Sequence, residues 1–135
     1  MERLKLPAAP ESLPRAHEFA GTCAKDAGAG AAAVNNIELV LEELLMNAAL
    51  HAYPKEVQGE VEIGCATDRN IFILSFTDWG IPFNPLTHVD PDLQVPLEER
   101  EIGGLGIMLV KKLSDRVEYR RERDKNVLTV RIRML

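Results

Sequence analysis

Apolar residues recur every three or four positions in two stretches of the chain, which is the spacing that places side chains on one face of an α-helix. The longer stretch covers residues 34–53 and stops at Pro54, which cannot continue a helical hydrogen-bond ladder. Its apolar face comprises Ile37, Leu41, Leu44, Leu45, Ala48 and Ala52. The shorter stretch covers residues 11–28, and the small residues 28–33 connect the two. The pattern therefore predicts two amphipathic helices in the first half of the chain.

Apolar and polar residues alternate in four later segments, as they do in β-strands with one buried face. The segments are 61–65, 71–77, 117–121 and 127–132. Turns at 68–70 and 124–126 join them into two hairpins, with a third helix at 107–113 between the hairpins. Residues 4–7 add a short edge strand, since proline is tolerated at a sheet edge. This order predicts an α+β fold: a two-layer sandwich of a largely antiparallel sheet with about three helices on one face.

A long segment with few apolar positions separates the first hairpin from the third helix. It covers about residues 80–102 and contains Pro82, Pro85, Pro91 and Pro96. Loops longer than about 12–15 residues in compact domains usually cover or bind a ligand. The sequence therefore predicts a lid at about 80–102 within a single domain that spans residues 1–135.

Composition and charge narrow the classes of function. With 46% apolar and 27% charged residues, the chain has the makeup of a folded globular domain. Its net charge of -5 repels phosphodiester backbones, so we expect no direct nucleic-acid partner. No window approaches the roughly 20 apolar residues that span a bilayer, and the first residues contain no apolar signal core. Cys23 and Cys65 lack the spacing of metal ligands. We therefore expect reduced cysteines, a cytoplasmic location and no membrane attachment.

Three polar residues line one edge of the apolar face of the longer helix. Glu43, Asn47 and His51 are spaced four residues apart, whereas Glu42 points about 100° away, toward the polar side. A carboxylate at the edge of a core costs free energy unless a partner uses it. Glu43 is therefore a candidate functional acid. The structural alternative is a glutamate that bonds to a neighbouring side chain.

An acid also falls on the apolar face of a predicted strand. Asp78 shares the parity of Phe72, Leu74 and Phe76, so its carboxylate should lie on their face at the end of the strand. Gly80 follows two residues later and permits close backbone approach or a positive φ. Asp78 is therefore a second candidate, and the alternative is an aspartate that caps a turn.

A glycine-rich segment immediately precedes the third helix. Gly103, Gly104 and Gly106, with Leu105 between them, leave backbone N–H groups free to point at an anion. The helix N-terminus adds partial positive charge, so phosphate is the expected ligand. The alternative is a glycine turn with no ligand.

Taken together and in this order, the three segments resemble the boxes of the GHKL (Bergerat-fold) ATPases. Residues 43–53 match the N-box, 78–83 the first glycine box and 103–106 the second. Within that superfamily the chain is most similar to the bacterial anti-sigma factor serine/threonine kinases of RsbW/SpoIIAB type. The similarity includes the segments 82–85, 97–100 and 126–129.

The resemblance implies a role for each residue in the first two boxes. Glu43 would act as general base on the attacking hydroxyl, and Asn47 would bind the Mg²⁺ that bridges the phosphates. Asp78 would accept a hydrogen bond from the adenine amino group, while Gly80 would clear space beside the base. His51 would line the same cleft.

The same resemblance assigns the phosphate end of the site. Gly103, Gly104, Leu105 and Gly106 would lie along the phosphates, and Arg100 would contact the terminal one. The cofactors implied are ATP and Mg²⁺.

The activity implied is transfer of the γ-phosphoryl group to a serine or threonine of a small anti-anti-sigma (STAS-type) protein. A sigma factor would be a second partner, and relatives form homodimers. Two alternatives stay open: a nucleotide-gated binding module that transfers no phosphate, and simple ATP hydrolysis. No phosphoacceptor-histidine helix pair is evident, which argues against a complete sensor histidine kinase.

Overall fold

The computed structural model describes residues 1–87 and 104–135. Its helices and strands are β1 (Glu2–Pro7), α1 (Leu13–Asp26), α2 (Ala31–His51), β2 (Glu60–Asp68), β3 (Ile71–Asp78), α3 (Gly104–Leu113), β4 (Arg116–Glu122) and β5 (Lys125–Arg133). The strands form one five-stranded sheet in the order β1-β2-β3-β5-β4, and every neighbouring pair is antiparallel. The predicted α+β sandwich of helices on an antiparallel sheet is confirmed, with β1 at the predicted edge.

One face of the sheet forms the core with the helices. Phe72, Leu74 and Phe76 alternate along β3 and are buried, as are Leu41 and Leu45 of α2. Burial of each such side chain contributes about 1.5–3 kcal/mol to folding. The same alternation carries Asp78 onto the helix-facing side, at the end of β3.

The connection between α1 and α2 is shorter than predicted. Gly28 adopts a φ of 89° and its N–H donates to the Lys25 carbonyl, while the Ala29 N–H donates to the Ala24 carbonyl. This glycine-based motif ends α1 where the sequence indicated. Helix α2 begins at Ala31, three residues before the predicted start, because alanine has the highest helix propensity and extends the helix back to Gly30.

Helix α2 also ends two residues before the predicted position, because the residues that follow bond to other elements. The Ala52 carbonyl accepts from the Ile81 N–H at 3.3 Å. The Tyr53 hydroxyl donates to the Glu60 carbonyl at 2.5 Å and accepts from the Trp79 N–H at 2.8 Å. These bonds fix the end of α2 against the end of β3.

The second hairpin turns earlier than the sequence suggested. Glu122 pairs with Lys125, so the turn consists of Arg123 and Asp124, and Arg123 takes a φ of 55°. The predicted turn at 124–126 is therefore wrong by one residue at its start. Asn126 lies within β5 and not in the turn.

The glycine-rich segment differs from its predicted placement as well. Helix α3 begins at Gly104, so Gly104, Leu105 and Gly106 form its first turn and do not precede it. A glycine costs a helix only about 1 kcal/mol, and the first N–H groups of a helix need no intrahelical acceptor. Arg100, Gly103 and most of the predicted lid, from residue 88 onward, lie outside the described residues. Within 1–87 and 104–135, no helix has the length and apolar character needed to cross a membrane.

Candidate functional site

A cleft opens between α2 and the ends of β3 and β5. Its apolar walls come from Leu44, Ala48, Phe76 and Leu128, and it is also lined by Ile81, Phe83 and Tyr119. A mostly apolar cleft with a few polar groups is typical of a site for a small molecule.

Three of the residues singled out in the sequence line this cleft together: Asn47, His51 and Asp78. Asn47 and His51 are one helical turn apart on α2 and therefore face the same side. Asp78 reaches the cleft because it follows Phe76 with strand alternation. The helix period and the strand alternation thus place these three side chains at one cavity.

The Asp78 carboxylate is held through one of its two oxygens. Oδ1 accepts from the Gly80 N–H at 2.9 Å and from Nδ2 of Asn126 at 2.9 Å. No described residue donates a hydrogen bond to Oδ2. Since Asp78 lines the cleft, Oδ2 is the acceptor available to a ligand.

Gly80 is required by its contact with α2. A Cβ on this residue would overlap the carbonyl oxygen of Ala52, which is backbone and cannot rotate away. The Arg121 guanidinium also donates to the Gly80 carbonyl at 3.0 Å. The room that the glycine provides is occupied by the end of α2, so the glycine brings the loop after Asp78 against that helix.

Glu43 lies one turn of α2 before Asn47 and is half-buried. Burial raises the pKa of its carboxyl group, and the neighbouring Glu42 carboxylate raises that pKa further. The carboxylate lies against Gly106, where a Cβ would overlap Oε2. Glu43 is thus placed between α2 and the first turn of α3, next to the cleft and beside the predicted phosphate segment.

The sequence pattern of the histidine kinase-like ATPase domain family matches residues 6–132. The chain belongs to this family. The match covers nearly all of the helices and strands described above, and the predicted relationship to the GHKL ATPases is confirmed.

Relatives of this ATPase domain include bacterial regulators. The chain is 28% identical over 119 residues to the serine-protein kinase RsbW of Listeria monocytogenes, covering 85% of this chain and 76% of the relative. It is 26% identical to the RsbW of Oceanobacillus iheyensis, covering 85% of this chain and 75% of the relative. It is also 26% identical to the anti-sigma F factor of Halalkalibacterium halodurans over 63% of this chain and 58% of that factor. The predicted class, an ATP-dependent protein kinase, agrees with these names.

Solved structures share the fold of this ATPase domain. The RsbU and RsbW domains of Rv1364c from Mycobacterium tuberculosis superpose with a TM-score of 0.61 at 15% identity. That superposition covers 99% of this chain and 33% of the larger one, so this chain spans about a third of it. The histidine kinase AdeS of Acinetobacter baumannii gives a TM-score of 0.54 at 17% identity, covering 99% of this chain and 69% of AdeS.

Sequence reasoning missed Asn126, a polar residue that lines this cleft. The predicted turn at 124–126 removed it from the strand, whereas β5 places it directly opposite Asp78. A two-residue turn would have given Asn126 the parity of Leu128 and Val130. A second polar side chain on the apolar face, at the same end as Asp78, was therefore the signal that could have found it.

Alanine in place of Gly80 should destabilise the domain by about 1–3 kcal/mol, because the added methyl group meets fixed backbone at Ala52. Urea unfolding followed by circular dichroism measures this change. Gly21→Ala within α1 is the matched control, since its Cβ would meet only the flexible end of the Glu38 side chain from α2. That variant should be neutral or up to about 1 kcal/mol more stable. Equal stability of the two variants would show that the Gly80 contact is unimportant.

Glutamine in place of Glu43 should make the domain slightly more stable at neutral pH. Because burial raises the pKa of Glu43 in the folded state, the folded protein keeps this proton to higher pH than the unfolded chain does. The stabilisation from the protonated group is lost as pH rises through the folded pKa, and neutral pH leaves the cost of an ionised, half-buried acid. Solvent screening limits the gain in Tm to roughly 1–2 °C.

Thermal melts of the wild type and Glu43→Gln across pH 4–8 would measure this gain. The difference in Tm should shrink as pH falls below the ordinary pKa of glutamate. A difference that grows toward acid pH would mean that the folded state favours the ionised form of Glu43.

Proposed function

We propose that this chain is a serine/threonine protein kinase that binds Mg²⁺-ATP in the described cleft and acts as an anti-sigma factor. The acceptor would be a serine or threonine of a small anti-anti-sigma protein of STAS type, with a sigma factor as the second partner. The observation that carries this proposal is that Asn47, His51 and Asp78 line one cleft, with Glu43 one helical turn beyond Asn47. A cytoplasmic location and a homodimer remain predictions.

The base-binding end of the cleft suits adenine. Asp78 Oδ2 is a charged acceptor at the edge of walls formed by Phe76, Leu128 and Ile81. An exocyclic amino group can donate to this oxygen while the ring contacts apolar side chains. Guanine would present a carbonyl oxygen at the corresponding ring position, and two acceptors repel.

The residues fit a magnesium ion that arrives with the nucleotide. Among the described residues, no group of three or more His, Cys, Asp or Glu could hold a metal ion. Mg²⁺ commonly takes only one or two protein ligands and fills its octahedron with phosphate oxygens and water. The side-chain oxygen of Asn47 would supply one such ligand, and the bound ion would neutralise charge on the phosphates.

Glu43 has the properties of a general base for this transfer. Burial moves the pKa of Glu43 upward, in the direction of the working pH. A general base is most effective when its pKa lies near that pH. The acceptor hydroxyl would give its proton to the Glu43 carboxylate as its oxygen bonds to the γ-phosphorus, and the bond from that phosphorus to ADP breaks. Arg100 and the segment 103–106 would steady the phosphates, with Gly106 next to Glu43.

The names of the relatives support the kinase over other nucleotide-dependent activities. Two are named serine-protein kinase RsbW and a third is named anti-sigma F factor. Phosphoryl transfer depends mainly on positioning and charge neutralisation, which one ion, a base and a cradle of backbone amides provide.

Incubation with γ-labelled ATP, Mg²⁺ and a candidate anti-anti-sigma protein tests the proposal. Label on the serine or threonine of that protein is the expected result. A stable complex without label would indicate a nucleotide-gated binding module. Release of free phosphate without a labelled protein would indicate simple ATP hydrolysis.

A further inference from the structure

Asn126 is a buried polar residue whose hydrogen-bonding capacity is fully used. Its side chain is 6% exposed. Nδ2 donates to Asp78 Oδ1 at 2.9 Å and to the Ile81 carbonyl at 2.8 Å. Oδ1 accepts from the Phe83 N–H at 3.2 Å and from the Tyr119 hydroxyl at 2.6 Å. Both donors and both acceptor positions of the amide are therefore occupied.

The chemistry of the partners fixes which way this amide points. A carboxylate and a backbone carbonyl only accept, and a backbone N–H only donates. Rotating the Asn126 amide by 180° would place its oxygen against Asp78 and the Ile81 carbonyl, and its NH₂ group against the Phe83 N–H. Three of the four bonds would then become repulsive contacts, so a single orientation is stable.

This amide joins two walls of the cleft. On one side it holds Asp78 at the end of β3, and on the other it holds the backbone of Ile81 and Phe83, whose side chains also line the cleft. The Gly80 N–H completes the bonding of Asp78 Oδ1. With Oδ1 occupied by two donors, Oδ2 is the acceptor that remains for a ligand in the cleft.

We propose that Asn126 is a positioning residue that sets the base selectivity of the cleft. It holds Asp78 so that one oxygen meets the ligand as a pure acceptor, and it ties this carboxylate to the adjoining backbone of Ile81 and Phe83. The inference rests on the proposed function, because it deepens the adenine end of that same site. Its chemical content is a preference for bases that carry an amino group where they meet Asp78.

The ratio of affinities for two nucleotides measures this role. Purine riboside triphosphate has the ring and phosphates of ATP but lacks the amino group. Calorimetric titration of the wild type with each nucleotide should show ATP bound about 10–100-fold more tightly, the loss expected when a buried charged acceptor goes unpaired. In Asn126→Ala the ratio should fall to about threefold or less, because among the described residues Asp78 is then held by the Gly80 N–H alone and its carboxylate can rotate.

The ratio of the two nucleotide affinities distinguishes a positioning role of Asn126 from a purely structural one. Partial unfolding of a variant lowers the apparent affinity for both nucleotides by the same factor, so the ratio is unchanged. Asn35→Ala on the exposed surface of α2 is the control and should keep the wild-type ratio. Should Asn126→Ala fail to fold, the ratio measured for Asn126→Asp tests the positioning role. This variant keeps the side-chain shape and replaces the group that donates to Asp78 by an acceptor. Its ratio should also fall to about threefold or less.

Each outcome bears on one proposal or the other. A wild-type ratio retained in Asn126→Ala or Asn126→Asp would overturn the positioning role and leave the proposed function intact. A wild-type protein that binds neither nucleotide would overturn the proposed function, and the positioning role with it. A fall in the ratio confined to the two Asn126 variants supports the inference.

Discussion

Glutamine in place of Glu43 should lower phosphoryl transfer to the protein acceptor by about 10²–10⁴-fold, the usual contribution of a general base. ATP affinity should stay close to the wild-type value, because Glu43 lies a helical turn beyond Asn47 and outside the lining of the cleft. Glutamine keeps the size of the side chain against Gly106 but cannot take up a proton at working pH. Single-turnover transfer of labelled phosphate, with ATP affinity measured by calorimetry, separates the two effects.

Glu42→Gln is the matched control, since Glu42 is also half-buried and lies next to Glu43 on α2. Its removal takes away a negative charge that raises the pKa of Glu43, so transfer should change by less than about tenfold. Wild-type transfer by Glu43→Gln, or an equal loss in both variants, would remove Glu43 from the role of base.

Asparagine in place of Asp78 should weaken ATP binding by about 10–100-fold, the loss that goes with leaving a buried hydrogen-bonding group unpaired. The Gly80 N–H and Asn126 Nδ2 both donate to Oδ1, so the new amide must keep its oxygen at that position. Its NH₂ group then takes the place of Oδ2 and meets the amino group of adenine. Two donors face each other, and the contact becomes repulsive. Calorimetric titration with ATP measures the loss.

Asp68→Asn provides the control, because Asp68 ends β2 on the exposed surface far along the sheet from the cleft. That substitution should leave ATP affinity unchanged. If Asp78→Asn binds ATP as tightly as the wild type does, adenine is not recognised by this carboxylate.

Periodicity in the sequence was sufficient to predict the parts of the fold that place the cleft. The 3.6-residue period located α2 and gave Asn47 and His51 a common direction, and the two-residue period put Asp78 on the core side of β3. The structure brings all three to one cavity. These patterns succeed because burial of one face is the main force that shapes each element.

Features that depend on contacts between distant elements could not be predicted. The start of β5 is set by the pairing of Glu122 with Lys125 and the left-handed backbone of Arg123, so the sequence left Asn126 in a turn. Glycine is needed at position 80 because of its contact with the Ala52 carbonyl, which is far away in the sequence. Neither a propensity nor a period carries that information.

The end of α2 shows the same limit. Pro54 predicts a helix that continues to Tyr53, but α2 ends at His51. The reason is that the Tyr53 hydroxyl bonds to both the Glu60 carbonyl and the Trp79 N–H. A single hydroxyl in this way ties the ends of a helix and two strands together. Such bonds become visible only when the three elements are seen side by side.

Under the proposed function, the rise of helix α2 sets the distances between the residues that would contact the ligand. From His51 back to Glu43 the helix rises about 12 Å, at 1.5 Å per residue, and Asn47 marks the midpoint. In the proposed function, a nucleotide held at Asp78 would extend along this helix. The proposed metal ligand Asn47 lies one turn from His51, and the proposed proton acceptor Glu43 lies a second turn beyond. A nucleoside diphosphate would not reach the level of Glu43. Only the triphosphate would bring its terminal phosphorus within reach of an incoming hydroxyl.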